Sequence, residues 1–198
     1  MARLRLRALK TRLVGPVDLA LEAGDILTLT GPSGSGKTRL LRAIADLDPH
    51  EGEAWLDDAA CHAMDPPLWR AQVAYLPAES AWWGERVSEH FGQPGALKLE
   101  TLGLGPETLD WPVTRLSSGE RQRLAVLRLL AIRPKVLLLD EPTANLDPDN
   151  TRAVETLILD YARETGATLV WVSHDPDQRR RLDGRHQVMS AGQLQEAG

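Results

Sequence analysis

Apolar residues in this chain fall in short runs, and their period switches between two and about 3.6 along the sequence. Arg3-Leu4-Arg5-Leu6-Arg7 alternates strictly, which predicts a half-buried strand with arginines on one face and leucines on the other. Ile26 to Thr30 predicts a second strand that ends at a glycine-rich turn, followed by a helical stretch from Arg39 to Ala45. Residues 51–60 read as a short strand and turn, and Val73 to Leu76 as a further strand. The mixture of arginine and leucine over 120–132 predicts a helix that stops before Pro134. Val136-Leu137-Leu138-Leu139-Asp140 is a continuous apolar run, suited to a strand covered on both faces. An amphipathic helix over 151–164 and a buried strand over Thr168 to Ser173 complete the alternation. Strands that alternate with helices predict an α/β domain with a mainly parallel core sheet.

The chain's 198 residues suit a single domain spanning 1–198. A hydrophobic share of 42% and a charged share of 26% exclude a disordered tail, a collagen-like fibre and a disulfide scaffold. Cys61 is the sole cysteine and cannot form an internal disulfide. No run approaches the roughly 18 apolar residues that a membrane span needs, and the basic start lacks an apolar export core. The expected location is therefore the cytoplasm, free or attached to something that sits in a membrane. A net charge of −5 argues against nucleic acid as a partner.

Gly31-Pro32-Ser33-Gly34-Ser35-Gly36-Lys37-Thr38 matches the phosphate-loop pattern at every required position. Glycines let the backbone curl and point its N–H groups inward at phosphate, and the following helix adds positive charge from its N-terminus. Lys37 is placed to neutralise the outer phosphates and the Thr38 hydroxyl to ligate Mg²⁺. Asp140 and Glu141 follow a buried strand, where ligands of parallel sheets gather. Asp140 is suited to holding Mg²⁺, and Glu141 to orienting and polarising a water that attacks the terminal phosphate.

With Leu116-Ser117-Ser118-Gly119-Glu120 and Ser173-His174-Asp175 the chain resembles, over nearly its whole length, the nucleotide-binding subunit of ATP-binding-cassette (ABC) transporters, of the small bacterial type. Residues 31–38 look like the family's Walker A, Val136 to Glu141 like Walker B and Leu116 to Glu120 like the signature motif. Ala144 to Asp147 looks like the D-loop, and His174 like the switch histidine. The resemblance implies a phosphate-loop ATPase fold with a small antiparallel β region and a short helical subdomain inserted over about 85–116. It also implies ATP as substrate with Mg²⁺, and an ATP-dependent homodimer in which Ser117, Ser118, Gly119 and Glu120 complete the partner copy's site. An integral membrane permease would hold the pair at the inner face of the cell membrane. An ABC-type ATPase of a soluble machine for DNA repair or translation, and a single-domain phosphate-loop kinase or switch, are the competing readings.

The sequence departs from the family's pattern in places. No aromatic residue occurs between Met1 and Gly31, so Arg12 or Leu13 is left to cover the base. Ala78 stands where the family carries the Q-loop glutamine, and the neighbouring Glu79 is the candidate to supply an oxygen to the metal shell. The signature reads Ser-Ser-Gly-Glu in place of Ser-Gly-Gly-Gln. Of Trp82 and Trp83, adjacent in a turn-rich stretch, one or both are expected to line the cleft that receives the membrane partner, the alternative being packing inside the helical subdomain. Arg179-Arg180-Arg181 is expected to be a solvated helix face.

Overall fold

The computed structural model describes residues 3–92 and 98–196. Its N-terminal strand β1 (Leu4–Lys10) buries Leu4 and Leu6 and exposes Arg5 and Arg7, as their alternation predicts. The period breaks at Ala8, whose φ of 47° marks a bulge that returns Leu9 to the buried face. β1 pairs with β2 (Val17–Leu21) on one side and β4 (Glu51–Leu56) on the other, and β5 (Ala59–Ala60) extends the antiparallel sheet beyond β4. Across the β1–β4 pair the Arg5 guanidinium stacks on the Trp55 ring at 4.4 Å, so the polar face of this sheet is itself organised.

The six-stranded core sheet has the order β10-β9-β3-β8-β7-β6. β3 (Ile26–Thr30), β6 (Val73–Leu76), β7 (Val136–Asp140), β8 (Thr168–Val172) and β9 (Arg185–Ser190) run parallel, and β10 (Gln193–Glu196) turns back antiparallel to β9. Every residue of β7 and β8 is buried, as expected of strands covered on both faces. Val136, Leu138, Val170 and Val172 point into a core shared with the antiparallel sheet and α1 (Lys37–Ile44). Leu137, Leu139, Leu169 and Trp171 point the other way, against α3 (Ser118–Ala131) and α4 (Pro148–Thr165). The short helices α2 (Pro66–Gln72) and α5 (Pro176–Leu182) contribute Trp69 to the first core and Leu182 to the second.

Helix starts lie earlier than hydrophobic periodicity alone suggests, because capping residues precede the apolar stripe. Ser117 caps α3 and Asp147 caps α4, where Pro148 occupies the first turn, a position that needs no free N–H. Over 85–116, where a helical insertion is expected, the described residues form 3₁₀ turns at Val87–His90, Glu100–Leu102, Pro106–Asp110 and Val113–Arg115, and no α-helix. Gly103, Gly105, Pro106 and Pro112 interrupt any longer helix there. Residues 93–97 of that segment lie outside the described ones. Val87, Phe91, Leu102 and Leu104 still pack into the second core, which anchors the segment beside α3.

Candidate functional site

The loops that leave the carboxyl ends of β3, β7 and β8 converge at one edge of the parallel sheet, the usual place for a ligand in such folds. The first is the phosphate loop. Gly31 has a φ of 147°, and a Cβ there would lie 2.1 Å from the Met189 carbonyl oxygen on β9, so only glycine fits. A turn from Ser35 N–H to Pro32 O (3.1 Å) curls the loop, and α1 starts from Gly36 at a φ of 111°. Pro32, Ser33 and Gly34 form its exposed tip, while the buried Ser35 hydroxyl has no partner among the described residues.

Lys37 donates its Nζ to the Gly31 and Pro32 carbonyls at 2.8 and 3.1 Å, which holds the ammonium over the cradle. Burial lowers its pKa, while the carboxylates of Glu141 and Asp140 work the other way and favour the charged form. Thr38 donates its hydroxyl to Asp140 Oδ2 at 2.7 Å, and the Tyr75 hydroxyl donates to the same oxygen at 3.1 Å. A threonine hydroxyl against a carboxylate is the oxygen donor set that a hard divalent cation takes, so Thr38 and Asp140 fit Mg²⁺. Glu79 is exposed and makes no hydrogen bond or ion pair among the described residues. No group of three His, Cys, Asp or Glu side chains able to hold a metal occurs among those residues. Tyr75, which sequence reasoning passed over, reaches Asp140 from the neighbouring strand instead.

Glu141 follows β7 in a left-handed conformation with a φ of 50°, and His174 follows the neighbouring β8. Their side chains meet at 3.1 Å between Glu141 Oε1 and His174 Nε2. Both line a cleft of about 280 Å³ together with Ser33, Gly34, Gly36, Lys37, Thr38 and Leu13. A carboxylate beside an imidazole at the rim of a phosphate cradle can hold and polarise a water.

Leu13 is 64% exposed at the mouth of this cleft, whereas Arg12 is exposed and does not line it. The Leu13 loop is pinned from both sides. Thr11 Oγ1 accepts the N–H groups of Leu13 and Val14, and the Gly15 N–H donates to Gly192 O at 2.8 Å. Gly192, in the β9–β10 turn, donates its own N–H to Ser35 O of the phosphate loop at 3.0 Å.

Ser117, Ser118, Gly119 and Glu120 sit apart from this assembly, and none of them lines the cleft. Ser117 and Glu120 close a capping box. The Glu120 N–H donates to Ser117 Oγ at 3.2 Å, and the Ser117 N–H and hydroxyl donate to Glu120 Oε2, each at 2.8 Å. These bonds from Ser117, the backbone one first, hold the Glu120 carboxyl below its usual range. Ser118 is left exposed on the first turn of a capped helix, a setting that favours an anion.

Farther along, Trp83 is 71% exposed while Trp82 packs partly against the second core. Both rings meet buried His90 edge-on, with centroids 4.5 and 4.7 Å away, and Arg128 lies over both at 4.8 and 4.7 Å. The basic run on α5 divides. Arg180 pairs with Asp177 at the surface, but Arg181 turns inward to buried Glu155, so only part of the run is a solvated face.

Comparison with known proteins agrees with this arrangement. The family model described as ABC transporter matches residues 14–144. The chain is 32% identical over 200 residues to the probable iron export ATP-binding protein FetA of Escherichia coli (strain K12), covering 94% of this chain and 89% of that one. It is 34% identical over 201 residues to the methionine import ATP-binding protein MetN of Thermobifida fusca (strain YX), covering 92% of this chain but 62% of that longer one. In fold it resembles the dimeric post-hydrolysis state of an ATP-binding cassette bound to ADP and Pi, with a TM-score of 0.82, 23% identity and coverage of 98% and 99% of the two chains.

Proposed function

This chain belongs to the ABC transporter family as an ATP-binding, ATP-hydrolysing subunit, and from that premise we propose that two copies close face to face on ATP and drive a separate membrane permease. One observation carries the dimer. The cleft that gathers Lys37, Thr38, Glu141 and His174 contains nothing from Ser117 to Glu120, although Ser118 stands exposed at a capped helix start. Those residues serve a triphosphate only if it belongs to another copy, with two-fold symmetry making each signature finish the opposite site.

Within one copy the backbone of residues 31–38 and the Lys37 ammonium bind the β- and γ-phosphates. Thr38 and Asp140 would hold Mg²⁺, which would offset charge on the phosphate oxygens. Glu141 orients the attacking water and takes up its proton, and His174, 3.1 Å away, steadies that carboxylate beside the γ-phosphate. Exposed Trp83, backed by Arg128 and His90, supports a docking surface for the permease, which would keep the pair at the cytoplasmic face of the membrane. A Glu141→Gln chain tests the central claim by gel filtration with Mg²⁺ and ATP. It should elute at twice the mass of the nucleotide-free chain and hydrolyse ATP at least about a hundred-fold more slowly than the wild type. A wild-type protein that hydrolyses ATP while remaining a strict monomer at every concentration would overturn it.

A further inference from the structure

The two residues that follow Glu141 are held by two buried amides from different helices. Gln122 on α3, 5% exposed, donates its Nε2 to the carbonyl of Pro142 at 3.1 Å. Gln178 on α5, 3% exposed, donates its Nε2 to Thr143 Oγ1 and to Glu155 Oε1, both at 2.8 Å. Glu155 on α4 is in turn closed by Arg181, with Nε to Oε2 at 2.9 Å and Nη2 to Oε1 at 2.7 Å. The two residues after Glu141 are therefore gripped from α3 and from α5. One of those helices begins at Ser118, and the other begins just past His174.

The two grips have different consequences. Gln178 joins the helix after His174 to the loop after Glu141, so it fixes the separation of the carboxylate and the imidazole. Gln122 lies one helical turn beyond Ser118 on the same face of α3, so a shift of that helix start is carried to its amide. Buried hydrogen bonds of this kind resist stretching, because a broken one leaves an unpaired polar group in the core.

We propose that Gln122 and Gln178 are positioning residues: Gln178 sets the Glu141–His174 pair, and Gln122 reports engagement of Ser118 with the partner copy's triphosphate to this copy's own Glu141. The inference rests on the face-to-face pair proposed above. Neither glutamine lines the cleft at the phosphate loop. Both act through the Pro142-Thr143 segment.

Steady-state hydrolysis at varied ATP concentration tests both arms, alongside melting curves and the gel-filtration dimer assay made in a Glu141→Gln background. Gln178→Leu should lower kcat about ten-fold with KM little changed and the Hill coefficient as in the wild type. Gln122→Leu should lower kcat similarly and also bring the Hill coefficient down to about 1, while ATP-driven dimerisation persists. Should Gln122→Leu fail to fold, Gln122→Met keeps the length of the side chain without the donor and is read the same way. A wild-type Hill coefficient retained in the Gln122 variants, or an unchanged kcat in Gln178→Leu, overturns the proposal. A wild type that neither pairs nor hydrolyses overturns the functional reading instead, so the two failures are distinct.

Discussion

Tyr75 and Thr38 meet on one oxygen: their hydroxyls donate to Asp140 Oδ2 at 3.1 and 2.7 Å, from two elements that flank β7. Burial first, and the adjacent Asp140 carboxylate second, push the Tyr75 phenol well above its usual pKa, so it stays a donor at any working pH. Removing the hydroxyl frees the carboxylate to rotate. Tyr75→Phe should raise the Mg²⁺ concentration for half-maximal hydrolysis about ten-fold. A Mg²⁺ titration of the steady-state rate measures it, and an unchanged curve removes Tyr75 from the metal's surroundings.

The base end of the cleft is aliphatic. Leu13 supplies surface but no ring to stack on and no group that reads a purine edge. ATP and GTP are therefore expected to bind within a few-fold of one another. Leu13→Tyr should tighten ATP by about 1–3 kcal/mol, the size of a base–aromatic stack. Fluorescent-nucleotide competition tests both statements. Strong wild-type preference for ATP would mean that the base is read elsewhere.

Gly31 and Gly34 share a loop but not a constraint. A Cβ at Gly31 meets the Met189 carbonyl at 2.1 Å, whereas one at Gly34 meets nothing within 4 Å and must accept only a φ of +76°. Gly34→Ala should cost about 1–2 kcal/mol of stability. Gly31→Ala should cost more, because β9 must move away, and should abolish nucleotide binding. Denaturant melts and nucleotide titrations separate the two.

The adjacent tryptophans should behave differently. Trp83→Ala removes an exposed ring and should leave melting temperature and nucleotide binding within error while abolishing co-purification with the permease. Trp82→Ala removes part of the second core and should destabilise the fold. Loss of folding in Trp83→Ala would instead make that ring a structural one.

Burial first, and the nearby Arg128 cation second, lower the pKa of His90, and these outweigh the opposing pull of Glu89. The Gly84 N–H donates to His90 Nε2 at 3.2 Å, a bond that needs the neutral ring. The unfolded chain then binds a proton that the folded chain refuses, so stability falls as pH drops below about 6.5, the value for an unfolded histidine. His90→Gln should flatten urea-melt stability between about pH 7 and 5 relative to the wild type. Parallel pH dependences would show that His90 does not titrate there.

Local pattern made much of the fold legible. Ile26–Thr30, Val73–Leu76 and Val136–Asp140 are strands with the predicted bounds, since buried parallel strands announce themselves as apolar runs. Weaker elements were harder to see. β2 is short and flanked by turns, and β9 carries arginine, histidine and glutamine. The phosphate loop and the Asp140-Glu141 pair were legible because short local spacing encodes them, whereas His174 was singled out only through the resemblance to a family. The residues that steady them were not. Tyr75 reaches Asp140 across 65 positions and Gln178 reaches Thr143 across 35, so only the folded sheet brings them together. Glu79 lies exposed beyond the end of β6, where the sequence pattern alone gives its side chain no partner in the fold.

The turn at Gly192 receives the Gly15 N–H and donates to Ser35 O, which makes the Leu13 loop and the phosphate loop one mechanical body. Ordering either end stiffens the other, so most of the entropy lost on docking is lost once. A nucleoside alone and tripolyphosphate alone should each bind poorly, and the intact nucleotide far more tightly than the two halves together would suggest.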